Sequence, residues 1–130
     1  FGTYCRFLAE ELGRFAAQLK DTPEPAGAGN MLDNTLLYFG SASSSFHLSR
    51  NYPLILAGGG NMGFKHGQYL KFGSGNEDNQ ADAGIRSDVG WRGEMSYQEL
   101  PLSNLYLTML HKLGVEAERF AGSDGSISEI

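Results

Sequence analysis

The chain has 130 residues, 41% hydrophobic and 19% charged, which suits one modest domain and reads as globular rather than disordered. Its net charge is -5, and Lys20, Lys65, Lys71, Arg86, Arg92 and Lys112 are scattered rather than clustered, so no nucleic-acid partner is expected. The one cysteine, Cys5, excludes an internal disulfide and a cysteine-based zinc site, and no apolar run reaches the length of a membrane span.

The first element is TYCRFLAEELGRFAAQLK, residues 3–20. Tyr4, Leu8, Leu12, Phe15 and Leu19 recur every three or four residues, which predicts an amphipathic helix. Gly13 weakens it by roughly 1 kcal/mol against alanine. Pro23 and Pro25 end it, because neither can donate a helical hydrogen bond. The chain opens at Phe1 inside this pattern, so it reads as a fragment of a longer sequence.

TLLYF (35–39) is β-branched, aliphatic or aromatic throughout and predicts a buried strand closed by Gly40. After a serine-rich tract, LILA (54–57) predicts a second buried strand, closed by Gly58, Gly59 and Gly60. Continuous apolar runs of this kind suit a parallel sheet covered on both faces. The link from residue 40 to residue 53 carries no helical pattern and makes a poor crossover, so the second strand is free to pair elsewhere in the sheet. HGQYLKF (66–72) alternates in polarity and predicts a half-exposed strand.

Residues 73–98 have few apolar anchors and read as a long loop pinned by Trp91. PLSNLYLTMLHKLG predicts the last helix, with Leu102, Leu105, Tyr106, Met109, Leu110 and Leu113 on its apolar face. His111 and Lys112 complement the dipole in the last turn, and Gly114 fits the left-handed position after it. The tail GSDGSISEI reads as a loop with a weak terminal strand.

Several residues invite chemistry, and each has a plainer reading. His47 is a metal ligand by residue type, or a polar residue in a serine-rich loop. His66, in GFKHGQ, is a second ligand or substrate contact, or a turn histidine beside Gly67. Ser41, Ser43, Ser44 and Ser45 lack a G-x-S-x-G elbow and read better as loop than as nucleophile. GGGNMG (58–63) lacks the lysine and serine of a phosphate loop and reads as a tight turn. Glu77, Asp78, Asp82 and Asp88 do not match a calcium-loop pattern.

Three blocks carry a resemblance: MLDNTLLYFGSASSSFH, NYPLILAGGGNMGFKHGQYLKF and LPLSNLYLTMLHKLGVEAERFAGSDGSISEI. In order and spacing they resemble the C-terminal part of the HXXSHH domain family. That family comprises uncharacterised, typically exported bacterial proteins allied in fold to the alkaline phosphatase and sulfatase superfamily. The resemblance covers roughly residues 3–72 and 95–130, with 73–94 as a variable insertion. It implies an α/β fold: residues 1–130 as the C-terminal portion of one alkaline-phosphatase-like sandwich, a mostly parallel sheet with flanking helices. It also implies a periplasmic or secreted location.

In that superfamily a buried strand ends in an Asp-His pair, and a loop histidine stands six residues before the proline of the next strand. TLLYF resembles that strand, and His47 stands six residues before Pro53. LSNLYLTMLHKLGV resembles the closing helix. Gly40, Ser41 and Ala42 replace the Asp-His pair, and Ser49, Arg50 and Asn51 replace the second histidine of the motif. The resemblance therefore implies His47 as ligand to a divalent metal (zinc, manganese or calcium), with Asn51, His66 and Ser41 as contacts to a small anionic ester. Any nucleophile would lie upstream of Phe1. The alternative it leaves open is a degenerate relative that has lost the metals and serves in binding or surface assembly. As part of a larger sheet, the chain is expected to aggregate or partly unfold alone.

Overall fold

A computed structural model describes residues 1–25, 27, 29–41, 53–72 and 100–130. They fall into two compact units, one built from Phe1–Phe39, Leu54–His66 and Glu129–Ile130, the other within Gly40–Pro53 and Gly67–Ser128. The expected loop at 73–98, with Trp91 and its acidic residues, lies outside the described residues, and so do Ser43, Ser44, Ser45, His47 and Asn51.

The first unit begins with helix α1, Gly2–Asp21, close to the bounds that periodicity predicts. Arg6 pairs with Glu10 at 2.7 Å one turn on, and Arg14 pairs with Glu11. These pairs are solvent-exposed and add only a few tenths of a kcal/mol each. At the C-terminus Thr22 leaves helical geometry, and its hydroxyl donates to the Gln18 carbonyl at 2.6 Å. Packing differs from the expectation. Leu8, Leu12, Ala16 and Leu19 are only half-buried, and no α1 residue is fully buried.

After α1 the two prolines turn the chain back on itself. Pro23 and Asn30 form an antiparallel bridge, and the Met31 N–H donates to the Thr22 carbonyl at 2.9 Å. A 3-10 turn, Met31–Asn34, follows. Asn30 caps it: its Oδ1 accepts from the Leu32 and Asp33 N–H groups at 3.0 and 3.3 Å. Asp33 reciprocates, its Oδ2 accepting from the Asn30 N–H at 3.0 Å. Both halves of a capping box are therefore present, so donors that the turn leaves unpaired are satisfied.

Strands β1 (Leu36–Gly40) and β2 (Leu54–Gly58) fall where the apolar runs predicted. They pair as a two-stranded antiparallel sheet. The end of β2 lies beside the start of β1, since the Gly59 N–H donates to the Leu32 carbonyl at 2.9 Å. The expected α/β sandwich with a mostly parallel sheet is therefore incorrect. The link between residues 40 and 53 carries no helical pattern from which to build the crossover that parallel pairing needs.

Chain reversal after β2 depends on glycine. Gly58 and Gly59 have φ of 78° and 71°, a left-handed backbone that side chains resist. A Cβ at Gly58 would collide with the Thr35 carbonyl and would stand 2.8 Å from the Leu32 Cδ1. A Cβ at Gly59 would stand 2.8 Å from the Phe64 ring. A second 3-10 turn, Gly60–Met62, closes the reversal and leads to the buried Phe64.

Residues 66–72 form no strand, contrary to the alternation in HGQYLKF. Alternation says which side chains would share a face; it supplies no neighbour for the backbone to pair with.

The second unit is organised by helix α2, Leu102–Lys112. Its end is a full Schellman motif: Val115 N–H to Leu110 carbonyl at 2.9 Å, and Gly114 N–H to His111 carbonyl at 3.0 Å, with Gly114 at φ 77°. The buried face is rotated from the expected one. Asn104, Leu105, Leu107 and Thr108 are buried, while Leu113 is exposed. The tail lies irregularly with no terminal strand, its Ser123 and Ile127 buried.

Two alanine substitutions separate backbone strain from helix propensity. Gly58→Ala is expected to destabilise by about 2 kcal/mol or more, from left-handed strain and collision together. Gly13→Ala, with open space around the added methyl, is expected to stabilise by about 0.5–1 kcal/mol. Urea unfolding followed by circular dichroism measures both.

Candidate functional site

Ser41 and His66 are the sequence-predicted site residues that lie among the described ones. Ser41 directly follows β1 and is exposed. It belongs to the second compact unit and His66 to the first. The expected metal ligand His47 and the expected substrate contact Asn51 lie outside the described residues.

His66 is placed by the glycine reversal. Its Nε2 stands 2.5 Å from the Gly58 carbonyl oxygen. A carbonyl only accepts, so Nε2 carries the proton and donates. The ring also stacks on Phe64, with centroids 6.4 Å apart and planes 17° apart. One nitrogen is thus committed to the backbone, and Nδ1 is the atom left to meet a ligand. The imidazole braces the left-handed turn as firmly as it offers chemistry.

Around the same turns runs a polar chain that sequence reasoning missed. Asn34 Nδ2 donates to Glu24 Oε2 at 3.0 Å, and Asn61 Nδ2 donates to Asn34 Oδ1 at 2.9 Å. These bonds tie the proline loop, the capped turn and the glycine reversal together. The N-x-x-D spacing of Asn30 and Asp33 was the readable signal for the capped turn; the contact to Asn61 had none.

The second unit holds the more buried polar cluster. Asn104 grips Asp124 twice: its Nδ2 donates to Asp124 Oδ1 at 2.8 Å, and its Oδ1 accepts from the Asp124 N–H at 3.0 Å. One turn along α2, the Thr108 hydroxyl donates to the Asn104 carbonyl at 2.7 Å and accepts from the Ile127 N–H at 2.8 Å. Ser123, 1% exposed, accepts from the Phe120 N–H through its Oγ at 2.8 Å. Tyr106 meets Phe120 edge-on, with centroids 5.8 Å apart. Asn104, Thr108 and Ser123, all buried, and the Ile127 N–H each have a hydrogen-bond partner in this cluster, which lowers the cost of burying them. Its chemistry is that of a clasp.

An open recess in the same unit is lined by His111, Glu116, Ala117 and Glu118. The His111 Nε2 donates to the Ala117 carbonyl at 2.7 Å, bracing the chain after α2. Among the described residues no group of three or more His, Cys, Asp or Glu side chains is arranged to hold a metal ion. No described helix is long and apolar enough to cross a membrane.

No protein-family model matches the chain, and neither a curated protein nor a solved structure does.

Thr108→Val keeps the side-chain shape and strands the buried Ile127 N–H. The expected loss is about 1–3 kcal/mol, with faster hydrogen exchange at the Ile127 amide read by NMR or mass spectrometry. An unchanged exchange rate there would show that the clasp does not hold the tail.

Proposed function

We propose that this chain acts by association rather than catalysis, as a binding or surface-assembly protein whose partner presents an apolar surface. One observation carries this reading: the apolar side chains of α1 are largely uncovered. Tyr4 is 63%, Phe7 52% and Phe15 49% exposed, and they lie on one side of the half-buried leucine stripe. Tyr38 on β1 and Ile55 on β2 are exposed as well. Large apolar side chains left exposed along one side of a helix support an interaction site there.

The likeness to the HXXSHH family supports the same reading from the sequence. It suggests an exported protein, placed in the periplasm or outside the cell. Gly40, Ser41 and Ala42 stand where the superfamily has an Asp-His pair, and Gly and Ala side chains offer no ligand atom.

A second reading is metal-dependent hydrolysis of a small phosphate or sulfate ester. It is favoured by the spacing of His47 before Pro53. By the family likeness His47 would bind zinc, manganese or calcium, and Asn51, His66 and Ser41 would be the residues that contact the ester.

Two measurements separate the readings. Sedimentation velocity over a concentration series is expected to show association of the full chain, with binding of an apolar dye. Both are expected to fall in a Tyr4→Ser, Phe7→Ser, Phe15→Ser variant. A wild-type chain that is monomeric and silent toward the dye contradicts the association reading. Elemental analysis is expected to find no stoichiometric metal; zinc, manganese or calcium that is present and then lost in His47→Ala would instead establish the hydrolase reading.

A further inference from the structure

We propose that the Asp124–Gly125 step is a site of spontaneous succinimide formation and that Asn104 governs its rate by clasping Asp124 to α2. This is the single Asp-Gly step in the sequence. Glycine leaves its own amide nitrogen unshielded, and a Cβ built at Gly125 would meet nothing nearer than Asn104 Nδ2 at 3.8 Å. Asp124 is exposed, so water reaches it.

The reaction needs no partner but water. The Gly125 nitrogen attacks the Asp124 carboxyl carbon, Cγ, in its protonated form. A N–Cγ bond forms, a Cγ–O bond breaks, and the hydroxyl leaves with the amide proton as one water. Water then adds to a ring carbonyl. Opening on one side restores aspartate. Opening on the other gives isoaspartate, whose main chain runs through Cβ and Cγ and whose free carboxylate is the former backbone carbonyl.

The clasp opposes the first step. Asn104 Nδ2 holds Asp124 Oδ1 at 2.8 Å, and Asn104 Oδ1 holds the Asp124 N–H at 3.0 Å. Movement of Cγ onto the next nitrogen carries Oδ1 away from Nδ2, so ring closure waits for the clasp to open. Once isoaspartate forms, one extra methylene lies in the backbone between Asp124 and Ile127. The Ile127 N–H then loses its register with the Thr108 hydroxyl, and the buried Ile127 side chain is released. The tail thereby carries a covalent timer that runs only when the clasp is open.

The test ages the full chain at near-neutral pH and measures isoaspartate at residue 124 by peptide mapping and by enzymatic methyl labelling. Native wild type is expected to label slowly. Asn104→Ala, and wild type in urea, are expected to label at least roughly tenfold faster, the factor that follows from the clasp's two net hydrogen bonds held closed. Gly125→Ala is expected to fall to background in urea, because a methyl then shields the nitrogen. Thr108→Val loosens the tail but leaves the Asn104–Asp124 bonds, and is expected to stay near the wild-type rate. Equal labelling of wild type with and without urea overturns the proposal, as does absence of labelling at 124 in urea. An Asn104→Ala rate no faster than wild type overturns it too. Acceleration in Thr108→Val equal to that in Asn104→Ala would assign the effect to general loosening and not to Asn104.

Discussion

The reversal after β2 is the constraint on which the first unit depends. Two successive left-handed glycines let the Gly59 N–H reach the Leu32 carbonyl while Phe64 folds underneath. Any side chain at Gly58 would meet the Thr35 carbonyl, so close approach of two backbones, and not propensity, fixes the residue there. From that contact follow the antiparallel pairing of β1 with β2 and the bond from His66 to the Gly58 carbonyl. The capped turn at Met31–Asn34 supplies the other side: Asn30 and Asp33 hold Leu32 so that its carbonyl is presented where Gly59 arrives.

The second unit solves its stability by different means. Among the described residues few large side chains are buried there, Leu105, Leu107 and Ile127 among them. Specificity comes instead from Asn104 and Thr108, a helical i, i+4 pair whose side chains serve as hydrogen-bonding partners for the tail. Irregular backbone has no ladder to satisfy it, so side chains must. The first unit leaves apolar surface uncovered and the second buries polar groups in matched pairs. The association reading rests on the former, and the timed release of Ile127 on the latter.

Local features were legible in the sequence. The helix periodicity of residues 3–20, the apolar runs at 35–39 and 54–57, and the stop at Gly114 each need only near neighbours, and α1, β1, β2 and the Schellman end of α2 lie where these signals put them. Pairing direction was misjudged because apolar runs report burial, not orientation; the lack of a helical pattern between the strands was the better guide. The strand expected at 66–72 failed for want of a partner. The buried face of α2 was misread because Asn104 and Thr108 score as solvent-facing until the tail that satisfies them is in place. Of the candidate site, His66 was recognised as a turn histidine or ligand, but its bond to Gly58 spans a glycine reversal whose geometry no residue pattern announces.

A two-stranded ribbon has consequences for how the protein behaves in crowded solution. Each strand directs half of its peptide groups away from its mate, and LLYF and LILA flank those rows with uncharged aliphatic and aromatic side chains. Strand edges flanked by uncharged side chains are, in general, the template for cross-β stacking. Neither LLYF nor LILA carries a charge of its own to oppose such pairing.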